Sequence, residues 1–459
     1  VAEFSGLTRA AARQLAERVL ALSKAEACQV NINASANGNT RYARNEVTTA
    51  GDTDNATVTV TSRFGKRVAS VGTNLLDDAA LARAVETSER LAKLAPENPE
   101  LMPLLPAQVY GDVPAFSEAT AGLDAVRRAD AVRSVASESN RAGLMAAGLV
   151  HRVASASAVA NSAGLFGYNA STTAVHTLTV RSPDGKGSGW AGTAHNDWAR
   201  ATSATQLATR AVRKAQGTRA AAALEPGKYT VVLEPTAAGN LVSLLTFAMN
   251  ARAADEGRSF FSKRGGGNKT GEKVMDERVS IVSDPQDPDL LTSPFSGEGL
   301  PVGRTVWVEN GVLKNLAYDR FWADKQGTKP APFAGGYRLQ GSGGSGGGAG
   351  QSLEELIKGV DRGLLVTRFW YIRAVDQRTL LYTGITRDGV FLIEKGVVTG
   401  AVNNFRFNES PVTMLNNLVA VGRPERVSSS ESGDVGGPAV VVPPLVVKDF
   451  SFTSVSEAV

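Results

Sequence analysis

Apolar and polar positions alternate between helical and strand-like spacing along the chain, in three stretches. Ser5 stands before an Ala/Leu-rich stretch over 6–23 whose apolar residues recur at helical spacing, and a serine there suits an N-cap. Val and Thr alternate over 56–62, and a second run over 66–71 returns after Phe64-Gly65, the pattern of a β-hairpin. Asp77-Asp78 opens a helix that runs to Leu94, with acidic side chains at its positive end. Pro96, Pro99, Pro103 and Pro106 interrupt the pattern and mark a connection.

A second stretch begins near Gly122, where 124–140 has helical spacing and charges on its outer side. The segments 142–160 and 168–182 are rich in Ala, Val, Ser and Thr. Separated by Asn161-Ser162-Ala163-Gly164, they read as paired antiparallel strands with small side chains on one side. Residues 198–216 predict another helix, and 217–226 a second connection. The third stretch is strand-rich. Its first strand, 229–234, is followed by a helix beginning at Pro235, a position that tolerates the missing N–H. Glu309-Asn310-Gly311 and Glu394-Lys395-Gly396 signal hairpins, and Ser352 is placed to cap a short helix over 353–358. Strand runs with interspersed helices, without βαβ alternation, predict an α+β fold. N-terminal helices would pack on antiparallel sheet ahead of a β-rich C-terminal domain, with boundaries at 1–108, 109–226 and 227–459.

Composition narrows the function. An apolar share of 42% and a charged share of 20% are those of a globular protein. The net charge of +4 comes without a dense Lys/Arg stripe interleaved with aromatics, only short stretches such as Arg127-Arg128 and Arg213-Lys214, which argues against nucleic acid as a partner. No run of eighteen apolar residues occurs, so no membrane span is expected. One cysteine, Cys28, forms no intrachain disulfide and suits a reducing cytoplasm. Export with a removed leader stays open, because the chain starts at Val.

The glycine-rich run 341–350 lacks the Lys of a phosphate-binding loop, and Tyr337-Arg338-Leu339 before it is short for a strand. A surface loop or lid is the expectation there.

Several segments together resemble the TldD/PmbA (TldD/TldE) family. They are Tyr42-Ala43-Arg44-Asn45-Glu46-Val47-Thr48, Glu234-Pro235-Thr236-Ala237-Ala238-Gly239, the hairpin from Gly303-Arg304-Thr305 through Lys314-Asn315, Asp361-Arg362-Gly363-Leu364-Leu365-Val366-Thr367, Met414-Leu415-Asn416-Asn417-Leu418, and Asp449-Phe450-Ser451-Phe452. They occur in the family's order and span nearly the whole chain. In the TldD-like subunit type, the helix after the strand matching 229–234 carries H-E-x-x-x-H and a later cysteine completes a zinc site. Here that helix reads Pro235-Thr236-Ala237-Ala238-Gly239-Asn240-Leu241-Val242-Ser243, and no cysteine follows Cys28.

The chain therefore resembles the PmbA/TldE-like type without the zinc motif. That resemblance implies no cofactor in this chain, zinc in a TldD-like partner, and a heterodimeric peptidase acting on unfolded or short peptides. The alternative is a homodimeric peptide-binding protein; a third reading is a stand-alone hydrolase with its own site.

The remaining chemistry is sparse. His151 and His176 fall in neighbouring predicted strands, yet nothing in the spacing sets them up as ligands. Asp255-Glu256 are adjacent on a helix and diverge by about 100°. Ser428-Ser429-Ser430 and Ser432 lie among glycines with no elbow motif, and Cys28 reads as buried packing. The stretch 368–373 alternates Phe369 and Tyr371 with Trp370 and Ile372. It is either a core strand with basic ends or one wall of a groove for an extended peptide. In the second case Arg373, Arg387 and Arg406 are the candidate contacts to carboxylates.

Overall fold

A computed structural model describes residues 4–333, 335–341, 350–428 and 439–457. The glycine-rich segment 342–349 and the serines at 429, 430 and 432 lie outside the described residues.

The N-terminal half is built on one antiparallel sheet. Its strands are β1 (Ala27–Ala43), β2 (Glu46–Phe64), β3 (Arg67–Thr73), β4 (Met145–Asn161), β5 (Phe166–Arg181) and β6 (Ser188–His195), ordered β3-β2-β1-β4-β5-β6. β1 and β4 pair continuously from Gln29↔Asn161 to Tyr42↔Gly148, so strands from both sides of residue 108 form a single sheet. Four helices cover one face: α1 (Arg9–Leu22), α2 (Asp78–Leu94), α4 (Ala125–Arg141) and α5 (Ala204–Gly217), with the one-turn α3 (Glu118–Ala121) between α2 and α4.

The side-chain period of two explains why one face suffices. Val30, Ile32, Val58, Val60, Ala154, Ala156 and Ala158 meet α1 and α2, while Ala146, Val150, Ala174, Leu178 and Val180 meet α4 and α5. All are even-numbered. The small alanines let the helices approach closely. The odd positions, among them Asn31, Asn33, Ser155 and Thr173, line the other face. There the C-terminal half packs at one end, where Gln29 and Asn31 donate to the Gly297 carbonyl and Phe295 packs on Val159 and Leu165.

Local signals place most helix starts. Asp77 and Asp124 accept from the N–H groups of Ala80 and Arg127. Two starts differ from the sequence expectation. The first helix begins after Thr8, whose hydroxyl accepts from Ala11 N–H, so Ser5 is not its cap. The helix expected from Trp198 is a 3-10 turn over Trp198–Arg200, then a break, then α5 capped by a Ser203/Gln206 box.

The C-terminal half holds two more sheets. The strands of the larger are β7 (Lys228–Leu233), β12 (Arg362–Val366), β13 (Phe369–Asp376), β14 (Leu381–Thr386), β15 (Val390–Glu394), β16 (Val397–Val402), β17 (Asn404–Glu409), β18 (Leu418–Val421) and β21 (Leu445–Ser456). They run β13-β14-β17-β21-β7-β12-β15-β16, with β18 on β21. The smaller comprises β8 (Val279–Ser283), β9 (Thr305–Glu309), β10 (Val312–Leu313), β11 (Gly336–Gly341), β19 (Glu425–Val427) and β20 (Ala439–Val442). The segment around Tyr337-Arg338-Leu339 is a strand after all: β11 is held by β8 on one side and β20 on the other, which compensates for its length. Helix α6 (Pro235–Phe247) lies in the core shared by these sheets, with Ala237, Ala238, Leu241, Val242 and Leu245 fully buried. A helix apolar on nearly all sides belongs in such a place.

Candidate functional site

The site is built where β7 hands over to α6 and where the edge strand β13 begins. β7 is central, and Val231, Val232 and Leu233 are fully buried. At its end Glu234 N–H donates to the Val366 carbonyl, and Pro235 opens α6. The Glu234 carboxylate meets Lys214 Nζ at 2.7 Å, with both side chains at 15% exposure or less. Lys214 also donates to the Trp190 carbonyl at 3.3 Å. The head of α6 is thereby tied to α5 and β6 of the N-terminal sheet.

Polar side chains on α6 are committed to structure. Asn240 Oδ1 accepts from Phe369 N–H at 3.3 Å. The Ser243 hydroxyl donates to the Gly239 carbonyl and accepts from Tyr337 Oη, each at 2.7 Å. Burial pushes the Tyr337 phenol up. A Cβ at Gly239 would lie 3.1 Å from Val427 and 3.4 Å from Val442, so glycine lets β19 and β20 sit tightly on the helix.

Beside this helix a ladder of arginines and tryptophans joins the two halves. The Arg368 guanidinium stands 4.5 Å from the ring of Trp190 on β6 and 4.5 Å from that of Trp370 on β13, and Arg387 lies 5.0 Å from Trp370. Buried cation–π contacts of this kind contribute about 2 kcal/mol. Arg368 also donates to Asp388 Oδ2 at 3.3 Å, while Oδ1 accepts from Ser188 Oγ at 2.6 Å. Asp388 is buried and holds a left-handed backbone, φ 58°, a conformation that Asp tolerates better than most side chains.

β13 does not keep the alternation expected over 368–373. Trp370 pairs with Ile385 but Arg373 with Thr383, and Tyr371 sits at φ 53°, so a bulge turns Tyr371 outward. Tyr371 is 58% exposed, and Arg373 lies 4.1 Å from its ring while donating to the Ile372 carbonyl. Arg406 on β17 reaches Thr383, the residue across from Arg373. Arg373 and Arg406 thus flank one threonine, whereas Arg387 stays back against Trp370 and Asp388. The Trp190–Arg368 and Ser188–Asp388 partnerships were not legible from sequence, because they join positions that are far apart along the chain, 200 residues in the second case.

The other candidates disperse. His151 pairs with Val175 and His176 with Val150, which sets the two rings on opposite faces of the sheet. His176 is fully buried on the helix face, 2.9 Å from Tyr42 Oη, and burial holds it down at about 4. His195 accepts from Asp197 N–H, and burial together with Arg426 and Arg200 brings it to about 4. Asp255 accepts from Trp322 Nε1 and Asn268, while Glu256 binds Arg252 and Arg258. Burial raises the Cys28 thiol, away from the reactive form. Among the described residues no three His, Cys, Asp or Glu side chains gather as metal ligands.

This arrangement, a helix-covered long sheet joined through a central helix to two further sheets, is the α+β fold of the TldD/TldE proteins. The chain superimposes on a TldE crystal structure from Thermococcus kodakarensis with a TM-score of 0.81 and 18% identity, covering 96% of this chain and 99% of that one. A second structure, a putative modulator of DNA gyrase from Bacteroides thetaiotaomicron, gives 0.80 and 19%, covering 96% and 98%. The family model described as PmbA/TldA metallopeptidase C-terminal domain matches residues 226–454. The chain belongs to the TldD/PmbA family.

Among its relatives, an uncharacterized protein of Methanocaldococcus jannaschii is 37% identical over 114 residues, 24% of this chain and 26% of that protein. A metalloprotease of Archaeoglobus fulgidus is 34% identical over 116 residues, 25% of each. The metalloprotease PmbA of Escherichia coli O157:H7 is 25% identical over 219 residues, 46% of each. The chain thus spans about a quarter of the length of the first two relatives it matches.

Proposed function

We propose that this chain is the non-metal-binding subunit of a TldD/TldE-type heterodimeric metallopeptidase that acts on unfolded or short peptides. The observation that carries the reading is the chemistry of α6. At the helix where the family resemblance would put H-E-x-x-x-H, this chain has Asn240 bonded to Phe369 and Ser243 bonded to Tyr337, with Leu241 and Val242 between them. Its three histidines all lie before residue 200, on the N-terminal sheet. These residues do not fit a zinc ion, and no hydrolytic step is assigned to them.

In this reading a TldD-like partner supplies the metal, and this chain helps hold the peptide. Tyr371, Arg373 and Arg406 are exposed on the edge-strand side, where an extended peptide would lie along β13 with its carboxylates toward the guanidinium groups, and Arg387 acts from behind through Trp370. The single buried cysteine accords with a cytoplasmic setting. No helix among the described residues is long and apolar enough to cross a membrane.

The test is to purify the chain alone and co-expressed with a TldD-like protein, and to measure zinc and peptide cleavage. Zinc and cleavage only in the stable complex are expected. Stoichiometric zinc, or cleavage by the isolated chain, overturns the proposal. In the complex, Arg373→Ala is expected to raise KM for acidic peptides several-fold with kcat nearly unchanged.

A further inference from the structure

A cleft of about 180 Å³ lies between the two halves. Its N-terminal wall is made by Lys186 and Ser188, at the turn into β6, and by Thr218 beyond α5; Asp388, Asn403 and Glu457 make the C-terminal wall. Both walls are held by hydrogen bonds. Ser188 N–H donates to Thr218 Oγ1 at 2.9 Å, and Ser188 Oγ donates to Asp388 Oδ1 at 2.6 Å. Ala222 N–H donates to the Ala401 carbonyl, Asn403 N–H donates to the Ala222 carbonyl, and Asn403 Oδ1 accepts from Leu224 N–H. Ser188 and Asp388 are buried, whereas Lys186 and Glu457 are exposed at the rim.

The charges around the cleft are the second observation. Asp388 is already held by Ser188 and Arg368, and Asp184, on the same turn as Lys186, by Ser182 and Arg219. Among the described residues neither the Lys186 ammonium nor the Glu457 carboxylate enters an ion pair, with each other or with a third group. A cation and an anion thus line one cleft and are kept apart. That arrangement favours a ligand carrying both signs, since a simple ion would satisfy one charge and be repelled by the other. Size narrows the choice. At about 30 Å³ per water the cleft has room for about six waters, and so for a molecule of similar heavy-atom count. Sites for larger ligands begin at about 300 Å³.

We propose that this cleft binds a free α-amino acid with a small side chain, its carboxylate toward Lys186 and its ammonium toward Glu457. Glycine, alanine and serine have the size and carry both charges, and each charge would gain a charge-assisted hydrogen bond. Among the described residues Asn403 Nδ2 makes only a long bond, 3.4 Å, to the Asn404 carbonyl, and it is placed to donate to the same ligand carboxylate. The short side chain would meet Val390 and Val402, which line the cleft as well. Because the walls come from both halves, a bound amino acid bridges them. Neither Lys186 nor Glu457 takes part in the peptide contacts proposed at β13, so this site and the zinc-subunit reading fail separately.

Equilibrium dialysis of the purified chain against radiolabelled L-alanine is expected to show one saturable site per chain, with a Kd in the millimolar range or below. Ethylamine and propionate, which carry one charge each, are expected to compete about tenfold less well than unlabelled alanine. The dipeptide Ala-Ala, too long for the cleft, should compete as poorly. Lys186→Ala and Glu457→Ala are each expected to weaken alanine binding about tenfold or more. Both side chains are exposed, so neither variant should move the thermal midpoint. Absence of saturable alanine binding overturns the proposal. Competition by propionate or ethylamine as strong as that of alanine overturns it too, because it would mark a site for a simple ion, as does alanine binding unchanged in either variant.

Discussion

Tyr42, Gly148 and His176 show how tightly single residues are specified. The Tyr42 ring crosses the helix face of the sheet to bring its hydroxyl 2.9 Å from His176 Nε2, and it passes over Gly148. A Cβ at position 148 would lie 2.3 Å from the Thr177 carbonyl oxygen and 2.5 Å from Tyr42 Oη. The first of these atoms is backbone and cannot swing away. Gly148→Ala is therefore expected to destabilise the fold by about 1–3 kcal/mol, measured as a shift in urea midpoint.

His176 makes a pH prediction. Burial holds it at about 4, against an ordinary value of 6.5. As pH falls through 6.5 the unfolded chain takes up a proton that the folded chain refuses until about pH 4. Stability from this group is thus intact above 6.5 and declines between 6.5 and 4, by roughly 3 kcal/mol at 1.4 kcal/mol per unit. Comparing denaturation at pH 7 and 5 in the wild type and in His176→Gln should show a smaller loss in the variant. An unchanged pH dependence would place the titration elsewhere.

At the scale of elements, the link between the halves is a few short contacts on well-formed strands and helices. Lys214 on α5 and Glu234 before α6 form a nearly dry ion pair. Removing one partner strands a buried charge, so Lys214→Met is expected to cost about 3–5 kcal/mol. The double variant Lys214→Met/Glu234→Gln should recover much of that loss. A double variant as unstable as the sum of the singles would mean that the two residues act independently. The elements themselves were largely legible. Ser352 marked a helix start because side-chain caps are local chemistry, the acidic pair Asp77-Asp78 marked another, and helical spacing placed the helix from 124. The β13 bulge was not legible, since the periodicity of 368–373 favours a regular strand and only pairing with β14 reveals the extra residue.

Across the whole molecule, further ion pairs and hydrogen bonds add to the contacts that tie the halves into one body. Arg338 grips Asp287 at 2.7 and 2.8 Å and Asp289 at 2.8 Å; Arg200, which follows β6, binds Asp289 at 2.9 Å. Arg426 reaches from β19 to Asn196 at 2.8 Å. If zinc belongs to a partner subunit, a chelator should leave the thermal midpoint of the isolated chain unchanged while abolishing peptidase activity of the complex. A fall of several degrees in the isolated chain would reveal a structural metal and contradict the assignment.

The sequence by itself determined most of the helices, the hairpins, the α+β class and the absence of His or Cys from the helix after β7, because each rests on neighbouring residues or on residue type alone. Tertiary structure decided the rest. It made one sheet of strands from either side of residue 108, set His151 and His176 on opposite faces, and brought Ser188 to Asp388 and Trp190 to Arg368. Such pairings depend on strand register and on long-range closure, and neither leaves a period in the local pattern of apolar residues.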